Sequence, residues 1–571
     1  MICIIGRRKN LPLALFFFLL YCCLGCGAES ETPEKNAANK MQAPWFEEVA
    51  SASGLDFEHI RARTIRYWLP EIMSAGAAWL DYDGDGDLDI YLVQGGDLDS
   101  IKPDSPGDRL YRNRGDGTFE DATNEAGLGD QHYGMGCAVG DYDADGDVDL
   151  YVTNVGPNVL YRNNGNGTFT DVTARAGVGD TGWGSSAAFV DYDDDGKMDL
   201  FVVNYIDWSP QREIECFAGG KERDYCHPSN YNAPATSVLY HNPGNGVFAD
   251  VTRDAGISTA KGNGLGVTLG DFNQDGRVDI YVANDGTPNH LWINQGNGTF
   301  AERALLTGCA VNREGIAEAG MGVAAFDLEN DGDLDLFKTH LRDETNIVYR
   351  NENGLFDDIT ALTGLGAPSL PYTGFGTGFA DFDHDGELDV YVVNGRVGRA
   401  QKSLAEDPFA EPNLLFKGLG NRRFEEIFPR GGTSTSFIET SRAAAFGDYD
   451  NDGDTDILIA NNGGRVRLLK NQASHKGRWI MFRALNRHGL DAAGAMIGIT
   501  ASTGKQWRLV QVAYSYLSSN DPRVHFGLGQ ADRVNDIVVI WPGGRKEFFG
   551  SFPAGAVHLL REGAGQRVEV P

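Results

Sequence analysis

The sequence predicts an all-β protein, a seven-bladed β-propeller followed by a small β-sandwich-like domain, and three observations predict it. A nine-residue pattern, D-x-[DNE]-x-D-G-x-x-D, recurs seven times between Asp81 and Asp456. Each copy sits inside a larger unit of short, β-prone runs that repeats at intervals of about 50–80 residues, the self-similarity of a propeller or a solenoid. From Arg478 onward the acidic pattern stops while strand-like runs continue.

Each unit reads F-x-D-V-T-x-x-A-G, a small-residue run, the acidic loop, an apolar run ending in Asn, then L-Y-R-N and G-x-G-T-F. Strand A precedes the acidic loop and strand B follows it, as IYLV after Asp89, LYVTN after Asp149 and LFVVN after Asp199. Strand C is Leu110–Asn113, Leu160–Asn163, Leu239–Asn242, Leu291–Asn294, Val348–Asn351, Leu414–Lys417 and Leu468–Asn471. Strand D begins at Phe46, Phe119, Phe169, Phe248, Phe300, Phe356 and Phe424. The last unit has A, B and C but no D, whereas the chain opens on a D strand. An N-terminal D strand completing the last blade closes the ring and hides both sheet edges. Strand parity places the acidic loops and the N-x-G-x-G-T turns on one face, with the Asn-Gly turns serving as hairpin chemistry. The opposite face gathers His59–Met73, Tyr205–Ser237, Asn312–Gly320, Ala367–Thr373, Gly395–Asn413 and Thr433–Ser441. Variable loops on a rigid scaffold are where binding concentrates. Asn154, Asn204, Asn284 and Asn394 end B strands near this face, either as ligand contacts or as partners of loop backbone.

The chemistry of the acidic loops follows from their constant positions. Positions 1, 5 and 9 are Asp in every copy, position 6 is Gly, and position 3 always carries a side-chain oxygen. Position 7 varies freely, as a ligand supplied by a backbone carbonyl does. The first loop offers Asp81, Asp83, Asp85, Asp87 and Asp89; the second Asp141, Asp143, Asp145, Asp147 and Asp149; the third Asp191, Asp193, Asp195, Lys197 and Asp199. The fourth offers Asp271, Asn273, Asp275, Arg277 and Asp279; the fifth Asp327, Glu329, Asp331, Asp333 and Asp335. The sixth offers Asp381, Asp383, Asp385, Glu387 and Asp389; the seventh Asp448, Asp450, Asp452, Asp454 and Asp456. Such hard, oxygen-only cages suit Ca²⁺, up to seven ions in all. An EF-hand is excluded, because position 12 falls on Leu92 and Val152 and strands follow where a helix would enter.

With these units in view, the chain resembles the FG-GAP/VCBS repeat propellers, the architecture of integrin α heads. Its tail is similar to the ASPIC/UnbV domain through His488–Ile497 (HGLDAAGAMI), Val524–Gly529 (VHFGLG) and Asp536–Gly544 (DIVVIWPGG). The pairing is that of the cartilage acidic protein 1-like family. The tail departs from the family pattern at Leu490–Ala493, where an S-N-R-like triplet is usual. The resemblance implies extracellular calcium binding and adhesion or matrix interaction.

Charge and cysteines bound the remainder. The formal net charge is −32; seven Ca²⁺ ions would leave about −18, which disfavours nucleic acid as a partner. Arg7, Arg8 and Lys9 precede an apolar run, Leu11–Tyr21, and then Cys22–Cys26, a secretory signal shorter than a membrane span. It resembles a lipoprotein signal with Cys26 as the lipidated residue, so the expected location is the outer membrane or cell surface by a lipid anchor, otherwise secretion. The expected division is a signal at 1–26, a polar tether at 27–44, the propeller at 45–472 and the tail domain at 478–565, joined by a short linker, Gln472–Gly477. Cys216 and Cys226 bracket one loop and are expected to form a disulfide in an oxidising compartment, while Cys137 and Cys309 read as buried thiols. His488, His525 and His558 lack metal-ligand spacing. No nucleophile elbow, zinc-binding helix or phosphate loop is present, so no catalytic residue is assigned. The acids Glu213, Glu215, Asp224, Glu406 and Asp407 have no partner legible in sequence. The reading is an exported calcium-binding module for an extracellular protein or polysaccharide ligand. The alternative is a polysaccharide lyase or hydrolase acting in the central funnel.

Overall fold

The computed structural model describes residues 43–62, 66–98, 105–219, 221–474 and 476–568. Cys26, the signal and most of the tether fall outside the described residues, as does Arg63.

Seven sheets, each built on four antiparallel strands and one of them joined by a fifth, parallel strand, account for most of the chain. Blade 1 is Ala77–Leu80, Asp89–Leu92, Arg109–Asn113 and Phe119–Asp121, and blades 2 to 6 repeat that order. Blade 7 is built from Ser441–Gly447, Asp456–Asn461 and Arg467–Asn471, and its fourth strand is Phe46–Glu48 from the start of the described chain. Phe46 pairs with Asn471 and Glu48 with Leu469, so the N-terminal D strand joins the last blade. The innermost A strands touch their neighbours in cyclic order, with Ala77–Leu80 meeting both Gly134–Gly140 and Ser441–Gly447.

Crowding at the ring's centre explains the composition of the A strands, such as GMGCAVG and GFGTGFA. A side-chain carbon at Gly136 would lie 2.9 Å from the Ser185 carbonyl of the next blade. Between blades, larger residues fill the wedge. Tyr91, Cys137, Leu150 and Val152 form one such cluster and Phe201, Val267, Ile280 and Trp292 another.

The tail folds as two sheets around Ile480, Phe482, Ile497, Phe526, Val539 and Trp541. One sheet has three strands centred on Arg478–Leu485, the other five centred on Arg533–Ile540. The structure corrects the expectation of a tail merely joined by a linker. Between Leu509 and Val524 the chain leaves the tail, enters the ring and returns, bonding to all seven A strands. Ser518–Ser519 pairs in parallel with Ala77–Ala78 of blade 1. Ser519 Oγ accepts from Val139 N at 3.1 Å in blade 2, and Ser186 Oγ of blade 3 accepts from Leu517 N at 3.2 Å. Thr268 of blade 4 donates to Gln511 at 3.3 Å. Ser515 exchanges backbone bonds with Val323 of blade 5, and its hydroxyl accepts from Thr377 N of blade 6 while donating to Ala444 O of blade 7.

From the other face, residues 66–74 descend to meet this insert. Tyr516 donates its hydroxyl proton to Met73 O at 2.8 Å. Ile72, Met73, Tyr516 and Leu517 then join Met135, Leu265, Met321 and Phe375 in one buried hub. The centre of the ring is thus occupied by Tyr516 and Leu517.

Candidate functional site

The acidic loops share one backbone. Position 6 is Gly with φ between 85° and 100° in every loop, which favours glycine. Position 4 is also left-handed, as at Ala144, Asp194, Gln274, Asn330, His384 and Asn451. This double turn aims backbone N–H groups inward. Position 1 accepts from position 6, as in Asp81 Oδ2 with Gly86 N at 3.1 Å, and position 5 accepts from position 7, as in Asp85 with Asp87 N at 2.9 Å.

The structure brings the position 1, 3 and 5 carboxylates together. Oxygens of Asp81, Asp83 and Asp85 lie within 4.8 Å of one another, as do those of Asp191, Asp193 and Asp195 and of Asp381, Asp383 and Asp385. Position 9 reaches the same group in blade 2, through Asp141, Asp143 and Asp149. Oδ1 of Asp81, Asp383 and Asp450 is buried with no hydrogen-bond partner. Burial and then neighbouring carboxylates push Asp81 and Asp83 above the usual carboxylate range. Burial likewise raises Asp141, Asp191 and Asp327 to about 6, Asp448 to about 7 and Asp381 to about 8. Converging, partly orphaned carboxylate oxygens that resist ionisation fit a hard cation, which would hold them charged.

Position 9 is also a backbone clamp. Asp89 accepts from Tyr82 N at 3.1 Å and from Asn113 N at 2.7 Å, and the same pair recurs at Asp149 and Asp279. Burial raises Asp89, Asp279 and Asp335 to about 8 and Asp149 and Asp199 to about 9.

Side chains at position 7 vary without effect on the turn. Lys197 Nζ folds back on Asp195 at 2.6 Å, Arg277 on Asp275, and Asp454 meets Lys476. The residue at the Arg place of L-Y-R-N sets a second difference between loops. Lys417 donates to Asp383 and, at 2.7 Å, to Asp385; Lys470 donates to Asp450. In blade 3 this place is His241, whose Nδ1 lies 3.0 Å from Asp199 Oδ1.

Sequence reasoning missed the role of the Asn in L-Y-R-N. Asn113 Nδ2 donates to Tyr449 O, Asn163 to Tyr82 O, Asn242 to Tyr142 O, Asn294 to Tyr192 O, Asn351 to Phe272 O and Asn471 to Phe382 O. Each bond, 2.7–3.0 Å long, ties a C strand to position 2 of the preceding blade's acidic loop. Blade 6 carries Gly418 instead. The repetition of the Asn was the available signal.

On the opposite face, several acids without a legible partner in sequence prove to be paired. Asp407 bridges to Arg61 at 2.9 Å, Glu215 to Arg223 at 3.1 Å, and Asp224 accepts from Arg399 N at 2.9 Å. Glu213 accepts from Tyr231 at 2.7 Å and from the Trp208 indole. Cys216 and Cys226 are bonded, and Cys137 and Cys309 are buried free thiols. Asn154, Asn204, Asn284 and Asn394 donate to loop carbonyls (Pro157, Thr236, Pro288 and Pro412), so their backbone role holds.

Comparison with known proteins fits this geometry. The FG-GAP-like repeat family matches residues 81–152, 141–202, 230–282 and 271–337, and the ASPIC and UnbV family matches 485–567. This chain carries FG-GAP-like repeats and an ASPIC and UnbV domain. The repeat match ends at 337, although loops 6 and 7 keep the same turn. Cartilage acidic protein 1 of Mus musculus is 29% identical over 52% of this chain and 44% of its own length. The Xenopus tropicalis protein is 28% identical over the same shares, so this FG-GAP chain spans less than half the length of the relatives it matches. Among solved structures, an Agrocybe aegerita lectin recognising terminal N-acetylglucosamine is similar at 16% identity and TM-score 0.36, covering 69% of this chain and 86% of its own. A Bacillus licheniformis rhamnogalacturonan lyase is similar at 15% identity and TM-score 0.35, covering 69% and 71%. No helix among the described residues is long and apolar enough to cross a membrane.

Proposed function

We propose that this chain is an exported calcium-binding propeller that acts as a cell-surface adhesion or ligand-binding module. Its ligand, an extracellular protein or a polysaccharide, would meet the face opposite the acidic loops. The observation that carries this reading is the division of labour between the faces. One face holds the seven acidic turns, whose carboxylates converge in loops 1, 2, 3 and 6, and Ca²⁺ bound there would be a structural ion. The other carries aromatic and guanidinium groups on irregular loops. Arg66 lies 5.0 Å over Trp68, Arg399 5.6 Å over Tyr67, and Tyr225 packs 5.5 Å from Phe409. With Tyr516 and Leu517 at the ring's centre and several of the face's acids paired, the module is read as binding rather than enzymatic.

Export supplies millimolar calcium, and a lipid on Cys26 would hold the propeller at the outer membrane. Calorimetric titration with Ca²⁺, followed by extracellular-protein and glycan arrays with and without EGTA, tests the reading. Stoichiometric binding with calcium-dependent retention supports it, and a metal-indifferent protein refutes it. Mass spectrometry of the membrane fraction, with Cys26→Ser as comparison, tests the anchor.

A further inference from the structure

On the face opposite the acidic loops, between blades 2 and 3, the fold forms an open cavity of about 290 Å³. Trp183, Trp208 and Tyr133 line it, and its rim carries Thr181, Ser209 and His132. Two contacts bring the flanking loops together: the Val155–Trp183 bridge and a 3.0 Å bond from Gly156 N to Gly182 O. The two indoles sit 5.8 Å apart at 68°. Trp208 is held from behind, since its N–H donates to Glu213 on the loop clasped by Cys216–Cys226.

The polar groups at this cavity are not satisfied. Trp183 is 2% exposed, yet its indole N–H has no hydrogen-bond partner. The hydroxyls of Thr181 and Ser209 have none among the described residues. His132 gives Nδ1 to the buried Asp130 at 2.5 Å, which leaves Nε2 for another group. An unpaired buried donor such as the Trp183 indole is unusual, and the exposed Thr181 with the half-buried Ser209 and His132 offers further polar groups beside it, which suits a ligand rich in hydroxyls or acceptors that also has an apolar face.

We infer that this cavity binds one or two pyranose units of a glycan, an assignment that rests on this face being the ligand face. A sugar ring stacks its C–H face on an aromatic side chain while its hydroxyls take the free donors. The volume lies at the lower end of the range for small-molecule pockets, about 300–1,000 Å³, which suits a terminal residue. A quaternary ammonium would use the aromatic faces and the Asp97 carboxylate in the lining, but has nothing to accept from the indole, the hydroxyls or His132. A phosphate-bearing ligand would find no Arg or Lys in the lining.

The test uses the calcium-loaded full chain and methyl glycosides of glucose, galactose, N-acetylglucosamine and glucuronic acid. Binding is read by saturation-transfer NMR and tryptophan fluorescence, with choline as the cationic control. At least one glycoside should saturate. Trp208→Ala should weaken it by about tenfold or more, and the double variant Thr181→Val, Ser209→Ala by a similar factor. Phe217→Ala, at an exposed ring elsewhere on the same loop, should change nothing, and melting curves should show the variants folded. Failure of every glycoside, unchanged binding by folded variants, or saturation by choline alone would each overturn the assignment. Array retention that ignores Trp208→Ala would sink this cavity and leave the general reading of the face standing.

Discussion

Single residues carry the ring's closure in a way that sequence alone left hidden. The strand-C Asn was legible as a repeat, but its target was not, because the acceptor lies 79 to 102 positions earlier in five blades and 336 later in blade 1. Asn163 is fully buried. Asn163→Ala would orphan the Tyr82 carbonyl and should cost about 1–3 kcal/mol, measured by urea unfolding; Gly418, already without an amide, provides the internal comparison. His59 gives a pH prediction. Burial, then Arg61 and Arg442, lowers its pKa to about 3, and both ring nitrogens are engaged, with Ser74 Oγ at 3.1 Å and Gly463 N at 3.0 Å. The folded state keeps it neutral while the unfolded chain takes a proton below pH 6.5. Stability from this group is therefore present above that pH and is lost as pH falls toward 3. Between pH 7 and pH 5 the loss should be about 2 kcal/mol, and His59→Gln should remove this part of the slope.

The acidic turn is the element that sequence made most legible, because four side-chain positions and a glycine specify it locally. Its electrical state was less so, since it depends on burial and on strand-C residues some 15 to 45 positions away. Position 9 carboxylates raised to about 8 or 9 stay protonated at pH 7 without metal. Their folded-state pKa lies above the unfolded value, so metal-free stability from them is present below pH 3.8 and is lost as pH rises through 8 to 9. A bound cation must displace those protons. Calcium titrations at pH 7 in buffers of different ionisation enthalpy should report net proton release that vanishes above about pH 9. Loops 6 and 7 should bind more weakly than loop 2, because Lys417 and Lys470 already neutralise their carboxylates. Lys417→Met should tighten calcium at blade 6 by about tenfold, read by competition with a fluorescent chelator.

At the scale of the whole molecule, repeat period and offset D strand were sufficient to anticipate a closed ring. They could not reveal that residues 510–523 belong to its centre, because nothing in a short polar run such as SYLSSN marks a hub. The physical reason for the hub lies in the geometry of seven blades, whose small inner residues leave a channel too wide to fill themselves. Tyr516 and Leu517 fill it with no exposed surface, and every blade bonds to the insert. The tail keeps a core of its own but is tied into the ring's hub through the insert, so ring and tail are coupled. Calorimetry of the calcium-loaded chain should give one cooperative transition, where separable domains would give two. Tyr516→Ala removes a buried ring and the bond to Met73, so a loss of about 3–5 kcal/mol is expected. That loss should lower the melting of propeller and tail together. Two transitions, only one of them moved by Tyr516→Ala, would mean that the insert rests in the channel without holding it.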